Sequence, residues 1–234
     1  PNDEEKELFE LPDYISKMVD KKWLGSKTGQ GFYKKEKDEN GKKTILALDL
    51  ETLEYKKPEK VKFPTLEMAK PIEDLHQRTK MLVMGMDKAG EFYRRIFGGL
   101  LAYVSNRIPE ISDDFYKIDD ALKAGFGWEL GPFESWDAIG VKAAIKHMEK
   151  ADMKPAQWVY DMMEAGNETF YKLENGTRLY YDIPSKSYKV IPGTENLISL
   201  ENLRESKTVW KNAGVHIIDL GDGVLNVEFH TKMN

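Results

Sequence analysis

Phe32-Tyr33-Lys34 returns 138 residues later as Phe170-Tyr171-Lys172, and the residues that follow each triplet return with it. Asn40-Gly41, Tyr55 and Pro58 follow the first; Asn175-Gly176, Tyr188 and Pro192 follow the second, at offsets of 133 to 135 residues. A near-constant period of this size predicts a duplicated domain, since solenoid repeats are far shorter. Only about thirty residues precede the first triplet, and over a hundred lead up to the second. The chain is therefore expected to hold the tail of one copy and the whole of another. Opening on Pro1 with no Met before it, it is also expected to be part of a longer protein.

Composition narrows the function classes. A length of 234 residues with 41% hydrophobic side chains suits one or two domains with a real core. The net charge of −5 comes from interspersed acids and bases, without the clustered basic face that nucleic acid demands. The absence of cysteine excludes disulfides, thiolate metal sites and a Cys nucleophile, and fits the reducing cytoplasm expected for it. No apolar run is long enough to span a membrane, and no signal peptide opens the chain.

Periodicity predicts a short helix over 13–20, then an alternating hairpin between Asn40 and Pro58. Pro58, Pro64 and Pro71 punctuate a connector. Tyr93, Ile96, Phe97, Leu100, Leu101, Val104 and Ile108 form an amphipathic stripe that ends near Pro109. Gly98-Gly99 inside it costs about 1 kcal/mol per glycine, which close approach of another helix would offset. Ser112 or Asp113 is expected to cap a helix carrying Ile118, Ala121 and Leu122. Gly131-Pro132 opens another, with Phe133 and Trp136 on one face and Gly140 as its stop. Helices are expected over 142–150, 155–165 and 200–212. Asn175-Gly176 and Gly221-Asp222-Gly223 each mark the turn of a hairpin. The fold class expected is mainly α with small β-hairpins.

No motif assembles an active site. A phosphate loop needs Gly before Lys-Ser/Thr, but Ser26 precedes Lys27-Thr28 in the Gly25, Gly29, Gly31 cluster. A dinucleotide fingerprint needs Gly where Lys34 stands, and an upstream strand where the pattern is helical. The cluster reads instead as a turn delivering Phe32 and Tyr33 to the core. His76, His147, His216 and His230 are scattered, without the helical pairing of a zinc hydrolase, and read as surface or core residues. Asp113-Asp114 and Asp119-Asp120 read as helix-start acids. Trp128, Phe133, Trp136 and Trp158 could line an acyl pocket, with core or interface packing the simpler role.

The motifs nevertheless resemble a known family. LGSKTGQGFYK at 24–34, with Gly25, Lys27, Thr28, Gly29, Gly31, Phe32 and Tyr33, resembles the closing motif of the C-terminal helical domain of 3-hydroxyacyl-CoA dehydrogenases. FGWELGPFESWDAIG at 126–140 resembles that domain's central motif through Gly127, Gly131, Pro132, Phe133, Glu134 and Asp137. LGDGVLNVEFHTKMN at 220–234 looks like the opening strands of an enoyl-CoA hydratase. The resemblance implies a 6-phosphogluconate-dehydrogenase-C-terminal-like helical domain and divides the chain into four parts. Residues 1–36 are the tail of a first copy, 37–70 a hairpin and linker, 71–196 the second copy, and 197–234 a linker helix with the first hydratase strands.

The implied parent is a dehydrogenase–hydratase fusion of fatty-acid β-oxidation that oxidises (S)-3-hydroxyacyl-CoA with NAD. Its acid–base pair and NAD site would lie in a Rossmann domain outside this chain, leaving no catalytic, cofactor or metal residue here. The family's substrate-positioning Asn belongs to an Asn-Arg pair that, counted back from Ile118-Asp119, falls at about Arg94-Arg95. Asn106-Arg107 comes about a dozen residues too late. The resemblance further implies that the copies pack together, with Gly98, Gly99, Trp128 and Trp136 as candidate contacts, and that the chain alone could form a homodimer. The alternative is a self-sufficient helical module that binds an acyl-CoA or a protein partner.

Overall fold

The computed structural model describes residues 3, 5–37, 41–195 and 197–231. Asn40 of the first Asn-Gly pair and residues 232–234 of the last motif lie outside them. The chain divides into two compact units, Pro1–Lys62 and Phe63–Asn234.

In the first unit, α1 (Asp13–Asp20) precedes a 3₁₀ turn at Ser26–Thr28 and the strands β1 (Tyr33–Lys37), β2 (Lys43–Leu48) and β3 (Tyr55–Lys56). These strands form an antiparallel sheet in the order β1-β2-β3, with Tyr33 opposite Ala47 and Leu48 opposite Tyr55.

The second unit begins with helices α2 (Pro64–Ala69), α3 (Leu75–Met84), α4 (Lys88–Asn106), α5 (Phe115–Phe126), α6 (Pro132–Ile139), α7 (Val141–Lys150) and α8 (Gln157–Glu164). A sheet of β4 (Tyr171–Glu174), β5 (Thr177–Asp182) and β6 (Ser187–Val190) follows, then α9 (Leu200–Lys207) and a sheet of β7 (Thr208–Lys211), β8 (Val215–Gly221) and β9 (Val224–Phe229). Phe115, Phe133, Trp136 and Phe170 are fully buried at the centre of its core. The Phe170 ring centroid lies 5.1 Å from that of Phe133 and 5.0 Å from that of Trp136, within the range of favourable aromatic pairing.

The expectation of a mainly α chain with small hairpins is corrected. Fewer than half of the described residues are helical, and each expected hairpin is part of a three-stranded antiparallel sheet. The third strands are short sheet edges. YKKEK (β1) and SYKV (β6) carry the exposed lysines that guard such edges against further pairing, so they mimic loops. The helix expected over 200–212 ends at Lys207, because Thr208, Val209 and Trp210 favour strand. Conversely, the proline-punctuated connector contains α2. Pro64 occupies the first turn of α2, where the missing N–H costs nothing.

The same set of contacts recurs around the two triplets. At the end of α1 the Trp23 N–H reaches the Met18 carbonyl (2.8 Å), as Asn167 reaches Met162 beyond α8 (3.1 Å). Leu48 N–H donates to the Phe32 carbonyl and Tyr181 N–H to that of Phe170, at 2.9 and 2.8 Å. The Tyr55 hydroxyl donates to the carbonyl just before Phe32, and Tyr188 does the same just before Phe170. Lys56 pairs with Asp49 (2.9 Å) as Lys189 pairs with Asp182 (2.7 Å). Lys34 lies over the Tyr55 ring and Lys172 over that of Tyr188. Each triplet thus leads into the first strand of a helix–turn–sheet module of one design.

The two modules differ in what surrounds them. Phe170 is fully buried, whereas Phe32 is 46% and Tyr33 66% exposed. This corrects the expectation that Phe32 and Tyr33 enter the core. The rings that enclose Phe170 come from α5, α6 and α8, and the first unit's described residues include only the counterpart of α8.

Candidate functional site

The most concentrated buried chemistry is a trio of carboxylates around the start of α6. Gly131 has no side chain to cap that helix, and Asp119 from α5 does so in its place. Asp119 Oδ1 accepts the Phe133 N–H (2.9 Å), and Oδ2 accepts the Glu134 N–H (3.0 Å). A Cβ on Gly131 would lie 2.4 Å from that of Asp119, so only glycine lets the two approach. Glu134, three residues into the motif, turns back to accept the Gly131 N–H at 2.7 Å, the reciprocal half of a capping box.

Glu134 Oε1 also takes Lys123 Nζ and an Arg178 guanidinium N–H, both at 2.7 Å. The guanidinium in turn lies over the Tyr171 ring, 4.0 Å from its centroid. Asp137, one turn later, receives the N–H groups of Phe170 (2.8 Å) and Tyr171 (2.9 Å). The Tyr171 hydroxyl closes the circuit on Asp119 at 2.8 Å. The central motif of one helix thereby grips the triplet that opens the following sheet, through its backbone.

Three acids facing two cations leave charge uncompensated, and the acids respond unequally. Burial pushes the Asp119 carboxyl up to about 7, against the N–H of Phe133 and aided by the nearby Glu134 charge. Burial likewise pushes Asp137 up to about 7, although the N–H groups of Phe170 and Tyr171 oppose it. Glu134 is held below its usual range: burial works against this, but Lys123, the Gly131 N–H and Arg178 outweigh it. Burial and Asp119 raise the Tyr171 hydroxyl far above the ordinary phenol range. All six oxygens of the trio already accept bonds from the fold. The arrangement positions chain and presents no free base.

A cavity of about 370 Å³ opens beside the clamp, lined by His76, Lys123, Glu129, Glu134, Arg178 and Asn202 among others. Of its cationic side chains, Lys123 and Arg178 are engaged by Glu134 and Lys172 lies over the Tyr188 ring. Asp119, expected as a helix-start acid, lies instead in the interior of α5 and caps the following helix. The N-cap position expected for Ser112 or Asp113 is held by Asp114, which caps with no side-chain bond and whose N–H is accepted by the Ser112 hydroxyl. Gly127, also in the central motif, ends α5 in the left-handed conformation.

The closing motif forms a self-contained loop. Gly25 (φ +106°) and Gly29 (φ +87°) adopt backbone that favours glycine, and a Cβ on Gly31 would lie 2.8 Å from Gly25 Cα. The Thr28 hydroxyl accepts the Leu24 N–H and lies 3.1 and 3.2 Å from the carbonyls of Gly25 and Gln30. The N–H groups of Gly25, Thr28, Gly29 and Gly31 point to carbonyls of the same segment, so they form no cradle for phosphate, and Lys27 is exposed. The described sheets are antiparallel, unlike the parallel βαβ unit of a dinucleotide site. Neither the loop nor the sheets fit NAD.

The four candidate contact residues are not brought to one face. Trp136 is buried in the core of the second unit. A Cβ on Gly98 would meet Met153 and Met148 of that unit at 3.0 and 3.4 Å, so this glycine serves the approach of α7. Gly99 faces open space. Trp128 is 40% exposed beside an apolar groove with Leu75, Ile96, Phe97, Leu100 and Leu130. Arg94 donates to the carbonyls of Val83, in the last turn of α3, and Gly85, just beyond it, and Asn106 to those of Ala102 and Lys154. Among the histidines, His216 and His230 come together with Glu228, a constellation that scattered numbering concealed. Cross-strand pairing between two period-two segments was the signal that could have found it.

No protein-family model matches the chain, and no solved structure matches it. It is 44% identical over 99% of its length to a "Probable 3-hydroxyacyl-CoA dehydrogenase" of Bacillus subtilis (strain 168). It is 25% and 24% identical to "Putative fatty acid oxidation complex trifunctional enzyme" proteins of Rickettsia felis and Rickettsia prowazekii. The chain spans 28% of the length of each of these relatives. From end to end it is thus similar to one part of a probable 3-hydroxyacyl-CoA dehydrogenase, the family its motifs resemble.

Proposed function

We propose that the chain is the helical, substrate-side part of an NAD-dependent (S)-3-hydroxyacyl-CoA dehydrogenase of fatty-acid β-oxidation, and that hydride chemistry is carried out elsewhere in the parent. The observation that carries this reading is the clamp. The central motif that resembles the family holds the second Phe-Tyr-Lys triplet through Asp137 and the Phe170-Tyr171 backbone, and every carboxylate oxygen there is committed to holding the fold. Residues 1–36 act as the tail of a first copy, 37–70 as hairpin and linker, 71–196 as the second copy, and 197–234 as the lead into a hydratase domain. The exposed Phe32 and Tyr33 are the surface that the rest of the first copy covers. In the parent, NAD would take the hydride. This chain's residues shape and support the acyl-CoA side.

The test is calorimetry of the purified chain with NAD and with acetoacetyl-CoA, alongside a dehydrogenase assay. Neither NAD binding nor turnover is expected; tight NAD binding by this chain would overturn the reading.

The Trp128 groove, about 340 Å³ in volume with a mainly apolar lining, favours a second reading, in which the chain alone is a binding module for an acyl-CoA or a protein partner. Acyl-CoA affinity that is lost in Trp128→Ala would select it.

A further inference from the structure

In the third sheet, β8 and β9 pair with His216 directly opposite Glu228. His230 lies two residues beyond Glu228, so the period-two alternation of extended chain directs all three toward one face. Their candidate ligand atoms lie within 4.8 Å of one another. The imidazole centroids of His216 and His230 are 4.5 Å apart, and His230 Nε2 is 3.3 Å from Glu228 Oε2. His216 Nδ1 is buried and has no hydrogen-bond partner. A buried ring nitrogen left unpaired is uncommon in a settled fold, and one explanation for such a group is an ion that completes it.

We propose that His216, Glu228 and His230 form a binding site for a divalent transition cation of the Zn²⁺ class. Two imidazoles and one carboxylate are a recognised three-ligand set for zinc, with a fourth position left to water or another ligand. The hard cations Mg²⁺ and Ca²⁺ call for oxygen donors and are disfavoured by two ring nitrogens. Arg204 from α9 already holds Glu228, with Nε 3.0 Å from Oε2 and a second N–H on Oε1. A carboxylate offers about four lone-pair positions, so this fork leaves room for a metal and orients the ligand as outer-sphere partners commonly do. The nearby guanidinium charge also moderates affinity, placing the site among exchangeable metal sites and not permanent structural ones. Of the side chains that face the cluster, His216 and Glu228 are half-buried and His230 is exposed, which gives the ion a path of entry.

The experiment uses the full chain stripped with a chelator and then titrated with Zn²⁺ by calorimetry, with Co²⁺ as a spectroscopic probe. One equivalent is expected to bind, with the visible absorption of four-coordinate Co²⁺ that Zn²⁺ then displaces. His216→Ala and His230→Ala are each expected to weaken binding by at least the roughly 10–100-fold that loss of an outer-sphere partner costs, while His76→Ala and His147→Ala leave it unchanged. Because His230 is exposed, His230→Ala is expected to leave the fold intact, and an unchanged far-ultraviolet circular dichroism spectrum checks this. Absence of saturable binding, or binding that is unaltered in His230→Ala, would overturn the site.

Discussion

Tyr171 donates its hydroxyl to the buried Asp119 carboxylate across 2.8 Å, joining the triplet that opens the β4-β5-β6 sheet to the helix that caps the central motif. Asp119 keeps two backbone donors without it, so the bond is one of three on that group. Tyr171→Phe should therefore destabilise the chain by about 1.5–3 kcal/mol, the range for hydrogen bonds to charged groups. Urea denaturation measures this directly. A change below about 0.5 kcal/mol would mean that the circuit closes without the hydroxyl.

Asp137 is the more costly member to remove. Asp137→Ala strands two N–H groups, Phe170 and Tyr171, in the buried clamp. At about 1–3 kcal/mol for each buried unsatisfied group, the loss should exceed about 2 kcal/mol. Asp137→Asn retains one carbonyl oxygen and should lose roughly half as much. Equal effects of the two substitutions in urea melts would argue against a two-pronged grip.

The raised carboxyl groups give stability an unusual pH dependence. An Asp with an unfolded value near 3.8 and a folded value of about 7 binds a proton in the folded state that the unfolded chain has already released. Stability from such groups is fully present below about 4, declines as pH rises between the two values, and is level above the folded one. Glu134, held low, acts oppositely and loses its contribution only as pH falls below the usual carboxylate range. The urea midpoint is expected to fall between pH 5 and pH 7.5, with a shallower fall in Asp119→Asn. A midpoint that rose over that interval would contradict the burial of two partly protonated acids.

Much of this organisation could be read in the sequence. The repeated triplet announced the module, and Gly131-Pro132 announced the start of α6, because local turn chemistry leaves residue-specific marks. The clamp could not be read, since Asp119, Asp137 and Tyr171 are brought together by tertiary packing between segments 18 and 34 residues apart. The edge strands escaped for a different reason: lysine-rich edges have the composition of loops. The histidine pair escaped because His216 and His230 are neighbours only through the register of β8 against β9. Phe32 and Phe170 open the same triplet, yet only the second is enclosed, because the enclosing rings of Phe115, Phe133, Trp136 and Trp158 come from distant segments.

That contrast between equivalent residues supports a paired substitution. Phe170→Ala empties a fully buried site surrounded by Phe115, Phe133 and Trp136, and should cost about 3–5 kcal/mol. Phe32→Ala, at a position 46% exposed in the same module design, should cost less than about 1 kcal/mol in this chain. Paired thermal or urea melts of the two variants measure the difference, and equal losses would contradict it.

The glycines separate in the same way. Gly131→Ala drives a methyl group to within 2.4 Å of Asp119 and should cost at least about 1–3 kcal/mol through overpacking, with loss of the cap in addition. Gly99→Ala places its methyl in open space inside α4, where alanine is the better helix former by about 1 kcal/mol, and should stabilise the chain. If a longer polypeptide or a partner packs closely over that helix face, the same substitution should become destabilising in the assembled protein. Thermal melts of Gly99→Ala in this chain and in the longer parent polypeptide would reveal the reversal. A stabilisation that persisted in both would remove Gly99 from the contact surface and leave Trp128 as its remaining exposed candidate.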